Sequence, residues 1–242
     1  MSTAAHFDHI AFGVSEIAAA TPFLVGALGG APLTGGPGGG FRAFQWRFRG
    51  GGVIEVLEPA GPAGGFMHRF LEQRGPGIHH VTFKVPDLDA ACARAEAAGY
   101  AIVGYDASDP AWMEAFLHPR QAQGIVVQLA QSDPQAGGEW GSQAAPLAPA
   151  PSSAPSEVVG LRLRAASEER ARRQWGQVAA GSERRCGELL EFAWPGSPMR
   201  IAVAVDDAGP EGPLGVEVRG APAGALPDGV HPVLGGRFLA VP

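Results

Sequence analysis

The chain has 242 residues, of which 45% are apolar and 17% charged, with a net charge of −6. That balance suits one or two domains with real cores and argues against a nucleic-acid surface. Met1 to His6 shows no secretion signal, no apolar run reaches the ~18 residues of a membrane span, and Cys92 and Cys186 lie far apart, so a cytoplasmic protein with two free thiols is expected.

His9-Ile10-Ala11-Phe12-Gly13-Val14 alternates as a strand does. Ser15 is a candidate helix cap with Glu16 in the first turn, and Ile17, Ala20, Phe23, Leu24 and Leu28 share one helical face. Pro22 is expected to kink or shorten that helix, and Gly29-Gly30 to end it. The glycine-rich stretch 35–40 reads as a loop. It is not a phosphate-binding loop, because neither Lys-Ser/Thr nor a helix follows. Strands are predicted over 41–48 and 53–57, with a short extra one at 31–33. The order is β-α-β-β-β. Phe66, Phe70 and Leu71 then mark a connecting helix, stopped by Gly75-Pro76-Gly77.

The plan repeats. A strand is predicted over 80–85, and a helix opens at Pro86-Asp87-Leu88-Asp89 with Ala91, Cys92, Ala95 and Ala98 at helical spacing. Gly99 closes it. Strands follow over 101–105, 113–118 and 124–129. A Pro/Ala/Ser-rich linker covers 133–156. A third, worn copy occupies 157–242, with strands over 158–163, 188–194, 199–205, 215–218 and 237–241. Its helix starts at the capping sequence Ser167-Glu168-Glu169-Arg170. Glu168, Glu169, Arg170, Arg172 and Arg173 read as its solvated face.

Aligning the first two copies places His9 on His80, 71 positions apart. Glu55 lies 46 positions after His9, and Gln128 lies 48 after His80, each a polar residue inside an apolar closing strand. Burying either without a partner costs about 1–3 kcal/mol. The same violation twice in register points to a shared partner. His9, Glu55, His80 and Gln128 form an N₂O₂ set suited to a divalent metal: Zn, Mn, Co, Ni or Fe. Strand periodicity puts His79 on the opposite face from His80. His6, His68 and His231 fit no repeat and read as surface or loop. Gly160 stands where the third copy would need its histidine, so that copy is expected to be metal-free.

These paired modules resemble the vicinal oxygen chelate (glyoxalase/bleomycin-resistance/dioxygenase) superfamily. The resemblance rests on Asp8-His9-Ile10, Ile54-Glu55-Val56-Leu57-Glu58-Pro59, Phe70-Leu71-Glu72-Gln73-Arg74-Gly75, Gly77-Ile78-His79-His80-Val81, Val85-Pro86-Asp87-Leu88, Phe116-Leu117-His118-Pro119 and Gly124-Ile125-Val126-Val127-Gln128-Leu129. Within the superfamily, residues 6–131 look most like the methylmalonyl-CoA epimerases. The resemblance implies an α+β fold in which βαβββ modules 6–60 and 78–131 form an open eight-stranded cup, making 1–132 a metal-binding domain. It also implies a small-molecule substrate that chelates the metal through two neighbouring oxygens. The epimerases carry a glutamate at Gln128, which serves as ligand and base. Here an amide stands there and the carboxylate is at Glu55, so Glu55 is expected to be the base. One base favours an isomerase, a lyase or one-sided epimerisation. Two other readings are an Fe(II) extradiol-type dioxygenase and a non-catalytic, resistance-type binding protein. Arg74, His118 and Arg120 are candidates to meet an anionic substrate group. No nucleotide-binding fingerprint is present, so a CoA substrate rests on the resemblance alone. The third copy is expected to cover a sheet edge or to pair with its twin in a homodimer.

Overall fold

The computed structural model describes residues 4–133, 140–141 and 143–242. Residues 1–3 of the N-terminal reading, and 134–139 and 142 of the predicted linker, lie outside the described residues. The chain is mixed α+β. One sheet has eight strands, in the order β2-β3-β4-β1-β5-β8-β7-β6, and is open at β2 and β6. The other has six. The chain forms two compact units: His9–His79 with Glu139–Val159 and Gly215–Pro242, and Met1–Asp8 with His80–Gly138 and Gly160–Leu214.

The first unit holds most of the first module: β1 (His6–Gly13), β2 (Ala31–Gly38), β3 (Phe41–Arg47), β4 (Val53–Pro59) and the helix α1 (Phe66–Arg74). β1 runs parallel to β4, and the hairpin strands β2 and β3 continue from β4. Ile10, Phe12, Phe44, Trp46, Ile54 and Val56 are buried on one face. The other face carries Ala11, Ala43 and Leu57, with Met67, Phe66 and Phe70 of α1 packed on it.

The structure corrects three local expectations here. The glycine stretch is not all loop, because β2 continues through Gly38. A side chain at Gly35 would run into the Phe44 ring across the hairpin, so close approach of the neighbouring strand, not a turn, selects glycine there. The first helix is split into a 3-10 turn, Ile17–Ala20, and a wider π-helical segment, Pro22–Ala27. Pro22 starts that second segment instead of interrupting a helix, where its missing N–H costs nothing. Ser15 is not the cap. The helix boundary falls at Glu16 without a side-chain cap, and the Ile17 N–H donates instead to Glu58 Oε2 at 2.6 Å.

The second unit holds β5 (Gly77–Lys84) from His80 onward, α2 (Leu88–Ala97), β6 (Ile102–Asp106), β7 (Met113–Leu117) and β8 (Val126–Gln131). Asp87 caps α2 by accepting from the Ala90 N–H, and Gly99 follows the helix at φ 86°. The same unit contains β9 (Glu157–Ala165) from Gly160, α3 (Glu168–Ala171) with its π-helical continuation Arg172–Val178, β10 (Ser182–Cys186), β11 (Leu189–Ala193) and β12 (Arg200–Val205). Ser167 caps α3 as expected. Trp175 Nε1 donates to Gln123 Oε1, Gln123 Nε2 to Arg170 O and Arg94 Nε to Val178 O. Phe7, Phe83, Trp175 and Trp194 form an aromatic cluster behind these bonds. The third copy therefore covers the second module within the chain.

The six-stranded sheet has the order β10-β11-β12-β9-β13-β14, adding β13 (Gly212–Arg219) and β14 (Phe238–Val241). β10 to β12 and β9 repeat the order of β2 to β4 and β1. β13 and β14 pair in parallel, as β5 and β8 do. The segment after the linker is thus a complete module followed by the first and last strands of a fourth. Both cysteines are free, Cys92 buried and Cys186 exposed. Among the described residues, no helix is long and apolar enough to cross a membrane.

Gly160 pairs with Arg200 as His80 pairs with Val126, so it occupies the histidine register of the third copy. Its φ is 152°, and a Cβ there would collide with the Arg200 backbone. Gly160→Ala is expected to cost about 3 kcal/mol and to lower Tm by about 6 °C or more. Calorimetry of the variant, with an unchanged Tm as the contrary result, checks this.

Candidate metal centre

In the first module, His9 is on β1 and Glu55 on β4, where Ala11 pairs with Glu55 and Gln45 of β3 pairs with Glu55 from the other side. Strand alternation puts His9, Ala11, Glu55 and Gln45 on one face, the face that α1 packs on. His9 Nε2 lies 3.4 Å from Glu55 Oε2. Gln45 Nε2 donates to Glu55 Oε1 at 2.9 Å. One carboxylate oxygen is thus held by an amide while the other faces an imidazole. All three residues are buried.

In the second module, His80 is on β5 and Gln128 on β8, and Thr82 pairs with Gln128 as Ala11 pairs with Glu55. Gln128 Oε1 accepts from Thr82 Oγ1 at 2.5 Å, and its Nε2 donates to Glu114 Oε2 at 2.6 Å. The indole N–H of Trp112 donates to the same Glu114 oxygen at 2.8 Å. Lys84 pairs with Asp8 at 3.2 Å, its ammonium 5.5 Å from the Trp112 ring centre.

One ligating atom each from His9, Glu55 and His80 lies within 4.8 Å of the others, and all three side chains are buried. Two imidazoles and one carboxylate so gathered fit a divalent transition ion. Imidazole suits Zn, Fe, Co and Ni, and a carboxylate adds charge to match.

His79 does not lie on the far face. Its ring meets Phe66 at 5.8 Å and Phe70 at 4.8 Å, both on α1, which covers the Glu55 face. Burial holds His79 down at about pKa 4; Glu55 opposes that and Arg74 adds to it. His79 is therefore neutral at pH 7. His231, read as surface or loop, is instead buried. Its Nδ1 accepts from the N–H groups of Val233 and Leu234.

Arg74 ends α1 and is exposed. His118 and Arg120 are also exposed, in the turn after β7, with the Arg120 N–H donating to His118 Nδ1. Sequence reasoning missed Gln45, Thr82, Trp112 and Glu114. The signal for Gln45 is its register opposite Glu55, legible once the β3–β4 hairpin is drawn. In the third copy, Ala202 pairs with Arg162 as Glu55 pairs with Ala11. With Gly160 and Ala202 at these places, the ligand registers of that copy hold no metal-binding side chain.

Residues 8–116 match the family model described as the Glyoxalase/Bleomycin resistance protein/Dioxygenase superfamily. A hypothetical protein from Bacillus halodurans is 26% identical over 55% of this chain and 99% of its own, with TM-score 0.50. Methylmalonyl-CoA epimerase from Mycobacterium tuberculosis is 25% identical over 56% of this chain and 94% of its own, with TM-score 0.49. A triple mutant of 4-hydroxymandelate synthase from Streptomyces coelicolor matches 90% of this chain and 71% of its own at 15% identity, with TM-score 0.57, a likeness of fold alone. No curated protein matches the chain in sequence.

Proposed function

We propose that this chain is a divalent-metal-dependent enzyme that removes a proton beside a carbonyl or thioester, acting as an epimerase, isomerase or lyase on a small acyl substrate. The observation that carries this reading is the gathering of His9, Glu55 and His80 in a buried place. Three ligands leave open positions for two neighbouring substrate oxygens. A divalent ion bound there supplies a Lewis acid that stabilises enolate charge.

The chain's own residues do the rest. His9 and His80 hold position from the first strand of each module. Gln45 fixes the Glu55 carboxylate, which is both ligand and proton acceptor. Gln128, with its amide bonded to Thr82 and Glu114, forms the polar wall of the second half and is the fourth candidate ligand. Phe66, Phe70 and neutral His79 form an apolar rim, and Arg74 at the end of α1 is the anchor for an anionic substrate end. His118 and Arg120 serve that end less directly.

One observation favours a second reading. Two histidines and one carboxylate with open positions are also the ligand set of non-haem Fe(II) oxygenases. The test incubates metal-loaded protein with methylmalonyl-CoA and with 2-oxo acids in D₂O, and reads deuterium at the carbon beside the carbonyl by mass spectrometry. Anaerobic deuterium uptake supports proton transfer. Oxygen consumption with catechols or 2-oxo acids, and no uptake of deuterium, supports the oxygenase and overturns the first reading. Metal-free protein that binds without turnover overturns both.

A further inference from the structure

The third copy has a charge pattern of its own, on the sheet face that carries the candidate metal ligands in the first module. Strand register locates it. In the first module Thr34, Gln45, Glu55 and Ala11 lie side by side across β2, β3, β4 and β1. In the third copy the same row, across β10, β11, β12 and β9, reads Arg184, Glu191, Ala202 and Arg162. The methyl group of Ala202 stands where the first module has the Glu55 carboxylate. Strand alternation adds Arg200, two residues before Ala202, and Arg164, two residues after Arg162, to the same face. All of these residues belong to the second compact unit.

Glu191 is buried, and both of its oxygens are engaged. Arg184 Nε donates to Oε2 at 2.8 Å, and Arg200 Nε lies 3.1 Å from Oε1. Arg164 Nε lies 3.2 Å from Asp206 Oδ2. Within the unit, then, four arginines of this face meet two acids, on a chain whose net charge is −6. Arg162, Arg164 and Arg200 are half-buried beside the buried Ala202. A guanidinium carries five N–H donors in a planar fork, so pairing along one edge does not use it up, and the fork matches the oxygens of a carboxylate or phosphate. Partial burial lowers the local dielectric, which sharpens repulsion among the arginines and their attraction for an anion alike. The register that supplies a carboxylate in the first module supplies none here, and three half-buried arginines border it.

We propose that this face of the third copy binds a small oxyanion, the carboxylate or phosphate group of a soluble ligand, over Ala202 and between Arg162, Arg164 and Arg200. The first two modules gather imidazole and carboxylate groups that fit a cation. The third keeps the row, inverts the charge and takes an anion. This does not depend on the reaction assigned to the first two modules, and its test reads binding instead of turnover.

Inorganic phosphate and succinate are titrated separately into the whole, metal-loaded protein at low ionic strength, with heat of binding and Tm as readouts. At least one probe is expected to saturate one site per chain and to raise Tm as its concentration rises. The tighter of the two assigns the site to phosphate or to carboxylate ligands. Arg162→Gln and Arg164→Gln are each expected to weaken that probe by about 10-fold or more, the weight of a hydrogen bond to a charged group, with metal content unchanged. Ala202→Glu puts a tethered carboxylate at the same place. In a variant that still melts cooperatively, it is expected to abolish binding of the probe. Arginines that serve the fold alone would give no saturable binding of either probe, and that result overturns the proposal. So does binding that stays at the wild-type level in Arg164→Gln or Ala202→Glu, because the anion then sits elsewhere. If Arg162→Gln folds poorly, the other two variants decide the matter.

Discussion

Glu55→Gln is expected to cut turnover by about 10²–10⁴-fold even when the variant is saturated with metal. Glu55 is buried, accepts from Gln45 at one oxygen and faces His9 Nε2 at the other. A glutamine at this place has nearly the same shape, so the strand it stands on is expected to keep its place. It loses the negative charge and the proton-accepting oxygen. Some metal affinity goes with the charge, and so the variant must be assayed across a metal titration. The loss of rate should persist at the plateau. Wild-type turnover at that plateau would remove Glu55 from the chemistry and leave it a ligand only.

His80→Ala is expected to weaken metal binding by more than ~100-fold, beyond what losing a supporting partner of a ligand costs. His79→Ala, one residue away, should leave it within about threefold. The two histidines are adjacent, but one contributes to the buried cluster and the other packs on the rings of Phe66 and Phe70. Competition titration with a chelating dye reads both variants. Equal losses would mean that the pair acts together and that the split between them is wrong.

The two-copy plan is legible because a repeated register survives in one sequence. His9 and His80, and Glu55 and Gln128, stand out as polar residues at matching places in apolar strands. The later elements are legible where they are buried: β9, β11 and β12 are apolar runs with buried centres, and Ser167 announces its helix. β10 is not. Ser182, Glu183, Arg184, Arg185 and Cys186 are all exposed, so an edge strand with no buried face leaves no period to read. β2 hides for a different reason: its glycines look like a turn, yet they admit the rings of Phe44 and Phe41.

The site's supporting residues are hidden because hairpin register is hidden. Gln45 and Glu55 are ten residues apart, Glu114 and Gln128 fourteen, and nothing in the intervening sequence says that they touch. On the closing strands alone, the exchange of amide and carboxylate leaves the second half without a carboxylate. It becomes a kept pair once the neighbouring strand is added. His79 is the opposite case: strand alternation predicts the far face, yet its ring packs on Phe66 and Phe70 of α1.

The central claim is that His9, Glu55 and His80 hold one divalent ion and that the third copy holds none. Elemental analysis of chelator-treated, reloaded and desalted protein tests it most directly. One ion per chain is expected in wild type and none in the combined His9→Ala, Glu55→Ala, His80→Ala variant. No retained ion in wild type, or an ion retained equally by the triple variant, would contradict it.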